Sequence, residues 1–206
     1  MSDKPNQTKS QFVAVASIAA ELSAVMEVAK EISLAAANAK AIAFRAGEKA
    51  RGFQPITDFI NELAKETIEL VNAINAHALF LYQLTVNEYR TSTAYEKFRQ
   101  AAQMADGAPF EQSLKSPTLL VEQRMLECRQ SFKLNVAQLL DQLQEVMHPA
   151  RAARVIAANS RIEASQAGEY LLSLQAVAES VDRAAQIIHN KVQRCRNALN
   201  VINISD

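Results

Sequence analysis

Three histidines and two cysteines are the first side chains to consider for metal binding or nucleophilic chemistry in this sequence. His77, His148 and His189 are dispersed along the chain. No second histidine or carboxylate stands near His77 at the Glu-x-x-His spacing that builds a di-metal site in a helical bundle. We find no nucleophile–base pair, phosphate-binding loop or metal-ligand spacing. The sequence therefore predicts a protein that is not an enzyme and needs no metal or cofactor.

The composition favours long amphipathic helices. The 206 residues are 49% apolar, 21% charged and only 6% aromatic, with four glycines and five prolines, which disfavours β-structure. The net charge is zero, so no overall electrostatic attraction to nucleic acid or to an anionic membrane is expected. No uninterrupted run of about 18 apolar residues occurs, and the polar start lacks a signal-peptide core. We therefore expect a cytoplasmic protein without membrane insertion.

Apolar and small residues recur in alternating steps of three and four, which is the heptad pattern of helices packed side by side. We predict a disordered tail over residues 1–10 and helices at about 11–47, 53–105, 118–167 and 169–203, with one clear Pro/Gly-rich break at 106–118. The predicted seam of the first helix is Val15, Ile18, Leu22, Val25, Ala29, Ile32, Ala36, Ala39, Ala43 and Ala46. The predicted seam of the second helix includes Ile56, Ile60, Leu63, Thr67, Leu70, Ile74, His77, Leu81 and Leu84.

Two polar residues on these seams should lie at similar heights in the bundle. They are His77 on the second helix and Asn135 on the third. A metal or cofactor site is one interpretation, and a buried polar layer that fixes helix register is the one we favour. Cys128 and Cys195 should lie roughly 20 Å apart at ~1.5 Å per residue, too far for a disulfide. Both are therefore expected to be reduced core residues.

The stretch 38–53, NAKAIAFRAGEKARGF, has the helix–Gly–turn–helix pattern of an αα-hairpin. It resembles the hairpin tip of the cytoplasmic signalling domain of methyl-accepting chemotaxis receptors. Three positions differ from that family's pattern: Ile42 stands in place of a Glu, Phe44 of an Ala, and Ala50 of a Gly. The positions that match it are Asn38, Ala39, Ala43, Arg45, Ala46, Gly47, Glu48, Arg51, Gly52 and Phe53.

A second copy of this motif follows at a constant offset of 121 residues (159 − 38 = 121). It keeps Asn159, Ile162, Glu163, Ala164, Ala167, Gly168 and Glu169, but lacks both arginines and the Arg-Gly-Phe block. The segment lengths between the motifs bring both turns to one end. The sequence therefore predicts an all-α, elongated antiparallel four-helix bundle of the coiled-coil type, with two hairpin tips at the same end.

The resemblance implies a receptor-tip dimer fused into one chain, and hence a role in chemotaxis signal transduction. Its expected partners are the coupling protein CheW, the histidine kinase CheA or receptor tips. The partner-binding residues it implies are Arg45, Glu48, Arg51, Phe53, Glu163 and Glu169, and the structural turn residues are Gly47, Gly52 and Gly168. We expect a monomer, because one chain already supplies four helices. The alternative is a phasin-like helical coat or structural protein without a chemosensory role, for which size and alanine content are the only indications.

Overall fold

Four helices, packed against one another in a ring, make up the structure. The computed structural model describes residues 4–105, 107, 109 and 111–204. The helices are α1 (Lys4–Ala46), α2 (Phe53–Met104), α3 (Lys115–Ala164) and α4 (Leu171–Ile204), and the described residues contain no strand. Short 3-10 segments at Gly47–Ala50, Glu111–Leu114 and Gly168–Tyr170 lie in the three connections. Helices α1 and α3 each pack against both α2 and α4, which confirms an all-α bundle of four helices.

Two helices begin earlier than predicted. Helix α1 begins at Lys4, within the predicted disordered tail, and α3 begins at Lys115 rather than near residue 118. Pro5 and Pro117 each fall in the first turn of their helix, where the missing N–H has no intrahelical partner in any case. A proline near the start of a segment is therefore compatible with a helix. Residues 1–3 of the predicted tail lie outside the described residues.

The buried residues of α1 are those that its periodicity predicts. All ten seam positions from Val15 to Ala46 are buried. The prediction for α2 was only half right, since Ile60, Thr67, Ile74 and Leu81 are buried, whereas Ile56, Leu63, Leu70 and Leu84 are partly exposed. The other buried positions of α2 are smaller residues or lie at its start: Phe53, Thr57, Ala64, Val71, Ala78 and Thr85. Small side chains let neighbouring helices approach closely, so these positions occupy the centre and the larger residues flank them.

The repeat extends well beyond the two turns. Each of the ten buried seam positions of α1, shifted by 121 residues, falls on a buried position between Val136 and Ala167. The same shift carries the buried positions of α2 onto those of α4. These pairs are Phe53 with Leu174, Thr57 with Ala178, Ile60 with Val181, Ala64 with Ala185, Thr67 with Ile188, Val71 with Val192, Ile74 with Cys195 and Ala78 with Leu199. The two halves of the chain therefore bury side chains in the same register.

A half-buried polar layer connects α2 to α3 at the edge of the core, so the layer is less buried than the sequence analysis predicted. The His77 Nε2 atom lies 2.8 Å from Asn135 Oδ1, and its Nδ1 atom lies 2.8 Å from Gln142 Oε1. The Asn135 amide nitrogen donates to the carbonyl oxygen of Ser131, which fixes the direction of its oxygen and makes His77 Nε2 the donor. The predicted alignment of His77 with Asn135 is confirmed. A polar layer of this kind disfavours shifted helix registers, because a shift would leave its groups without partners.

The free cysteines differ in their surroundings. Cys195 is buried, and burial raises the pKa of its thiol to about 12, with a smaller contribution in the same direction from the negative charge of Glu21. Cys128 is only half-buried, so the predicted core position is confirmed for Cys195 and was wrong for Cys128. Glu21 itself forms an ion pair between α1 and α4, with its carboxylate 2.7 Å from the Lys191 Nζ atom. The hydrogen bond from Lys191 lowers the pKa of Glu21, burial opposes this effect, and a weaker bond from Arg194 adds to the lowering.

One outer face of the bundle carries no charged side chain over a long stretch. Helix α2 has no Asp, Glu, Lys or Arg from residue 70 to 87, and α1 has only Glu21, which faces α4, from residue 12 to 26. We call the outer surface of these two segments the uncharged band. Where the segments meet, an open groove of about 330 Å³ is lined by Val15, Ala16, Ala19, Asn75, Ala78, Leu79 and Tyr82. The Phe12 ring packs edge-on against Tyr82, with 5.3 Å between ring centroids.

Within the described residues, one helical stretch is long and apolar enough to cross a membrane by length and composition. Gln11–Ala50 has a mean hydropathy of 1.8 in its most apolar window, 33% of which is buried. The sequence contains no run of about 18 apolar residues, but its many alanines raise the mean hydropathy of this stretch. A heptad helix buries about two positions in seven. The buried share therefore agrees with a helix that packs on α2 and α4 through its seam.

Candidate functional site

The two helix-to-helix turns of the repeat lie side by side. The first turn (47–52) joins α1 to α2, and the second turn (165–170) joins α3 to α4. Gly47 and Gly168 have φ angles of 57° and 59°, in the left-handed region that favours glycine. The Lys49 Nζ atom lies 3.5 Å from Glu169 Oε1, which connects the turns directly. Both turns therefore stand at the same end of the molecule.

A shared apolar cluster lies beneath the two turns. Its buried members come from all four helices and both turns: Ala39, Ala43, Ala46, Ala50, Phe53, Ala164, Ala167 and Leu174. Phe53 and Leu174 are its large residues, and they occupy equivalent positions of the two repeats. Because the other buried members are alanines, the turns approach each other closely. The cluster fixes the position of one turn relative to the other.

Equivalent ion pairs flank this cluster on both halves. The Lys40 Nζ atom lies 2.6 Å from Asp58 Oδ1 and joins α1 to α2. Arg161, which is 121 residues after Lys40, lies 2.7 Å from Asp182 Oδ2 and joins α3 to α4. Each repeat thus uses a basic residue at the same position to hold its two helices together near the turn. The acidic partners are not equivalent, so the two halves have diverged in detail.

Most of the sequence-predicted site residues form an exposed, charged rim around the turns. Arg45, Glu48, Arg51 and Glu169 are exposed. Arg51 and Glu48 form an ion pair of 3.5 Å, with side chains 78% and 87% exposed. Ion pairs with this degree of exposure contribute little to stability. These charges can therefore exchange their present partners for those of another protein at small cost.

Glu163, like Glu169, is a predicted site residue that contacts the other repeat. It is half-buried near the end of α3, and its carboxylate lies against the backbone of Gly52 in the first turn. A Cβ atom on Gly52 would overlap that carboxylate. The φ angle of Gly52 is −67°, so this glycine is needed for close approach and not for an unusual backbone conformation. Gly52 lies in the first turn as predicted, and the structure adds the close approach of Glu163 as the reason for a glycine there.

Phe53 does not fit its predicted role in partner binding. Its side chain is completely buried in the cluster beneath the turns and offers no surface to another protein. The Arg-Gly-Phe block thus divides its roles: Arg51 is exposed, Gly52 makes room for Glu163, and Phe53 packs the core. From sequence alone, a phenylalanine at the start of a helix is compatible with a buried core position and with an exposed binding position. Only the placement of the neighbouring helices decides between the two.

Sequence reasoning missed several residues around the turns. Lys49 is not among the predicted site residues, yet it forms the ion pair to the second turn. Three large apolar residues, Phe44, Ile162 and Leu172, are 62–80% exposed close to the turns. Phe44 could have been noticed, because it replaces an alanine of the resembled motif and lies off the helix seam. Exposed apolar groups beside a charged rim are typical of protein-binding surfaces.

No family model, no curated protein and no solved structure matches this chain. Among the described residues, no three His, Cys, Asp or Glu side chains are grouped so that they could hold a metal ion. What the arrangement offers is a rigid pair of turns with a mixed-charge rim and exposed apolar residues. Such a surface is suited to binding another protein.

Proposed function

We propose that this chain is a chemoreceptor-like signalling or scaffold protein whose paired turns engage the chemotaxis coupling protein CheW, the histidine kinase CheA or the tips of receptors. The observation that carries the proposal is the motif present twice at an offset of 121 residues, with both copies brought into contact at one end. In receptors of the resembled family, two identical chains supply such a pair. Here a single chain supplies it.

The proposal includes two finer features of the fold. The heptad spacing of the buried positions supports coiled-coil packing, and the left-handed glycines Gly47 and Gly168 support hairpin tips. The binding site is the charged rim formed by Arg45, Glu48, Arg51, Glu163 and Glu169. Because the alanine-rich cluster holds the turns in place, this rim needs little ordering when a partner binds. Its charges give specificity more than affinity.

The division of charges between the repeats supports asymmetric binding. The first repeat supplies Arg45 and Arg51, and the second supplies Glu163, whose carboxylate reaches the first turn at Gly52. Glu48 and Glu169 are equivalent and carry the same charge, but Arg45, Arg51 and Glu163 have no charged counterpart in the other repeat. A partner can distinguish one face of the paired turns from the other, so we propose that it binds in one orientation. We also propose that the protein acts in the cytoplasm, without enzymatic activity.

A pull-down experiment tests this function. Immobilised wild-type protein is expected to retain CheW or CheA, and Arg45→Ala/Glu48→Ala is expected to lose most of that binding. The matched control is Arg124→Ala/Glu127→Ala, which removes the same residue types from exposed positions of α3 far from the turns. If neither wild type nor variant retains CheW or CheA, the proposal is wrong. Equal loss of binding in the control would show that overall charge, and not the charged rim, causes the effect, which would also contradict the proposal.

A coat or structural protein of the phasin type is the second candidate. The uncharged band favours it, because such proteins need an exposed apolar face. The charged rim and the double turn motif have no role in that function. Gene neighbourhood distinguishes the two candidates: chemotaxis genes beside this one favour the first, and polymer-storage genes favour the second.

A further inference from the structure

We propose that the uncharged band is the binding surface for a second copy of this chain, which packs band against band in a two-fold dimer. The inference does not rest on the proposed function, since the band lies well away from the two turns. It revises the expectation of a monomer. The four-helix core is already closed within one chain, so the second copy adds to an outer face and completes no core.

The band exposes large apolar side chains where a helical surface is usually charged. Val13, Leu79, Phe80 and Tyr82 are 44–62% exposed. Among the residues that line the groove, only Asn75 and the hydroxyl of Tyr82 contribute polar side-chain groups. Contiguous apolar surface of this kind on a folded protein marks an interaction site. The groove between α1 and α2 provides a depression into which side chains of the other copy fit.

The absence of charge favours another copy of the chain as the partner. A partner surface that carried Lys, Arg, Asp or Glu would lose the hydration of these groups against the band and find no opposite charge there. The band of a second copy has no such groups to desolvate. A two-fold axis through the band places the same patch on both sides of the interface, as in isologous dimers. The surfaces are thus matched in both polarity and symmetry.

The repeat explains why assembly stops at two chains. Shifting the band by 121 residues gives the equivalent segments of the second half, 133–147 on α3 and the part of α4 from residue 191 onward. These segments carry Lys133, Asp141, Glu145, Lys191, Arg194 and Arg196. The second half therefore has no uncharged band in the corresponding place. With one such surface per chain, a dimer is closed and no filament follows.

The size of the band suits a dimer of modest affinity. Residues 70–87 span about 27 Å at ~1.5 Å per residue, and two adjacent helices are about 20 Å wide. Each copy would thus bury about 500 Å², or about 1,000 Å² in total, which is at the lower limit for a specific interface. We therefore expect a dissociation constant on the order of 10 µM.

Sedimentation equilibrium of the full chain tests the proposal with a matched pair of variants. Ala16 lines the groove, and Ala137, 121 residues later, is an exposed alanine at the equivalent position of α3. Ala16→Glu is expected to weaken the dimer at least about tenfold, because two carboxylates per interface lose hydration. Ala137→Glu is expected to dimerise as wild type does. Leu79→Glu is a second band variant, and unchanged helicity and melting temperature show that each variant is folded.

Three results would overturn the proposal. The first is a wild-type protein that stays monomeric at several hundred micromolar, well above the expected dissociation constant of about 10 µM. The second is a dimer that Ala16→Glu and Leu79→Glu leave intact, or that Ala137→Glu weakens as strongly. The third is a monomer that binds neutral lipid vesicles or polymer beads through the band, with loss of binding in Leu79→Glu. That last result would assign the band to a coat function.

Discussion

Replacing Phe53 by alanine tests whether the two turns share one core. Phe53 is completely buried in the cluster that joins both repeats, and its buried neighbours there are mostly alanines. Truncation of a buried phenylalanine to alanine typically lowers the free energy of unfolding by about 3–5 kcal/mol. Alanine side chains are too short to fill the space that the ring leaves, so we expect a value in the upper part of that range. For a protein of this size, that corresponds to a fall in melting temperature of about 6–20 °C.

The matched control is Phe59→Ala, which changes the same residue type six positions further along α2. The Phe59 side chain is 56% exposed and lies outside the cluster, so we expect a loss of about 1 kcal/mol or less. Denaturant unfolding followed by circular dichroism measures both free energies of unfolding. The comparison separates burial at the turn from any general effect of removing an aromatic ring from this helix.

Hydrogen exchange then shows where the loss occurs. Because Leu174 belongs to the same cluster, Phe53→Ala should speed amide exchange at the second turn as well as at the first. The reasoning is refuted if Phe53→Ala lowers the free energy of unfolding no more than Phe59→Ala does. It is also refuted if faster exchange is confined to the first turn, since the turns would then be stable independently of each other.

Two further predictions concern titratable groups in the core. Because the pKa of Glu21 is lowered in the folded protein, its ion pair stabilises the fold fully at pH values above the pKa of a free glutamate, about 4.3. This stabilisation disappears as the pH falls through the lowered pKa. Glu21→Gln should therefore lower the free energy of unfolding by on the order of 1 kcal/mol at pH 7 and by almost nothing near pH 2. Denaturant unfolding at both pH values measures this difference, and an equal loss at both would contradict the prediction. The raised pKa of Cys195, about 12, and its burial predict that a thiol reagent at pH 8 modifies Cys128 first and reaches Cys195 only on unfolding. Fast modification of Cys195 in the folded Cys128→Ser variant would show the prediction to be wrong.

The candidate site was predicted well where a residue's role depends on its own helix and poorly where it depends on a neighbour. The turn positions of Gly47 and Gly168 follow from local sequence, because a glycine after an alanine-rich helix can take the left-handed conformation that ends it. The contact of Lys49 with Glu169 joins residues of different repeats, so no local pattern reports it. The burial of Phe53 likewise requires helices from both halves.

The sequence by itself determined the four helices, the seam of α1 and the duplication, because helical periodicity is local and a constant offset can be read directly from the letters. The tertiary structure alone decided which of two overlapping apolar stripes of α2 faces the core. Both stripes contain Ile60 and Ile74, and close approach to two other helices favours the one with Thr57 and Ala64 over the one with Ile56. The tertiary structure also placed the charge-free segment of α2 next to the nearly charge-free segment of α1, which together form the uncharged band. The physical reason is the same in both cases: burial depends on which surfaces meet, and that is a property of the assembled bundle.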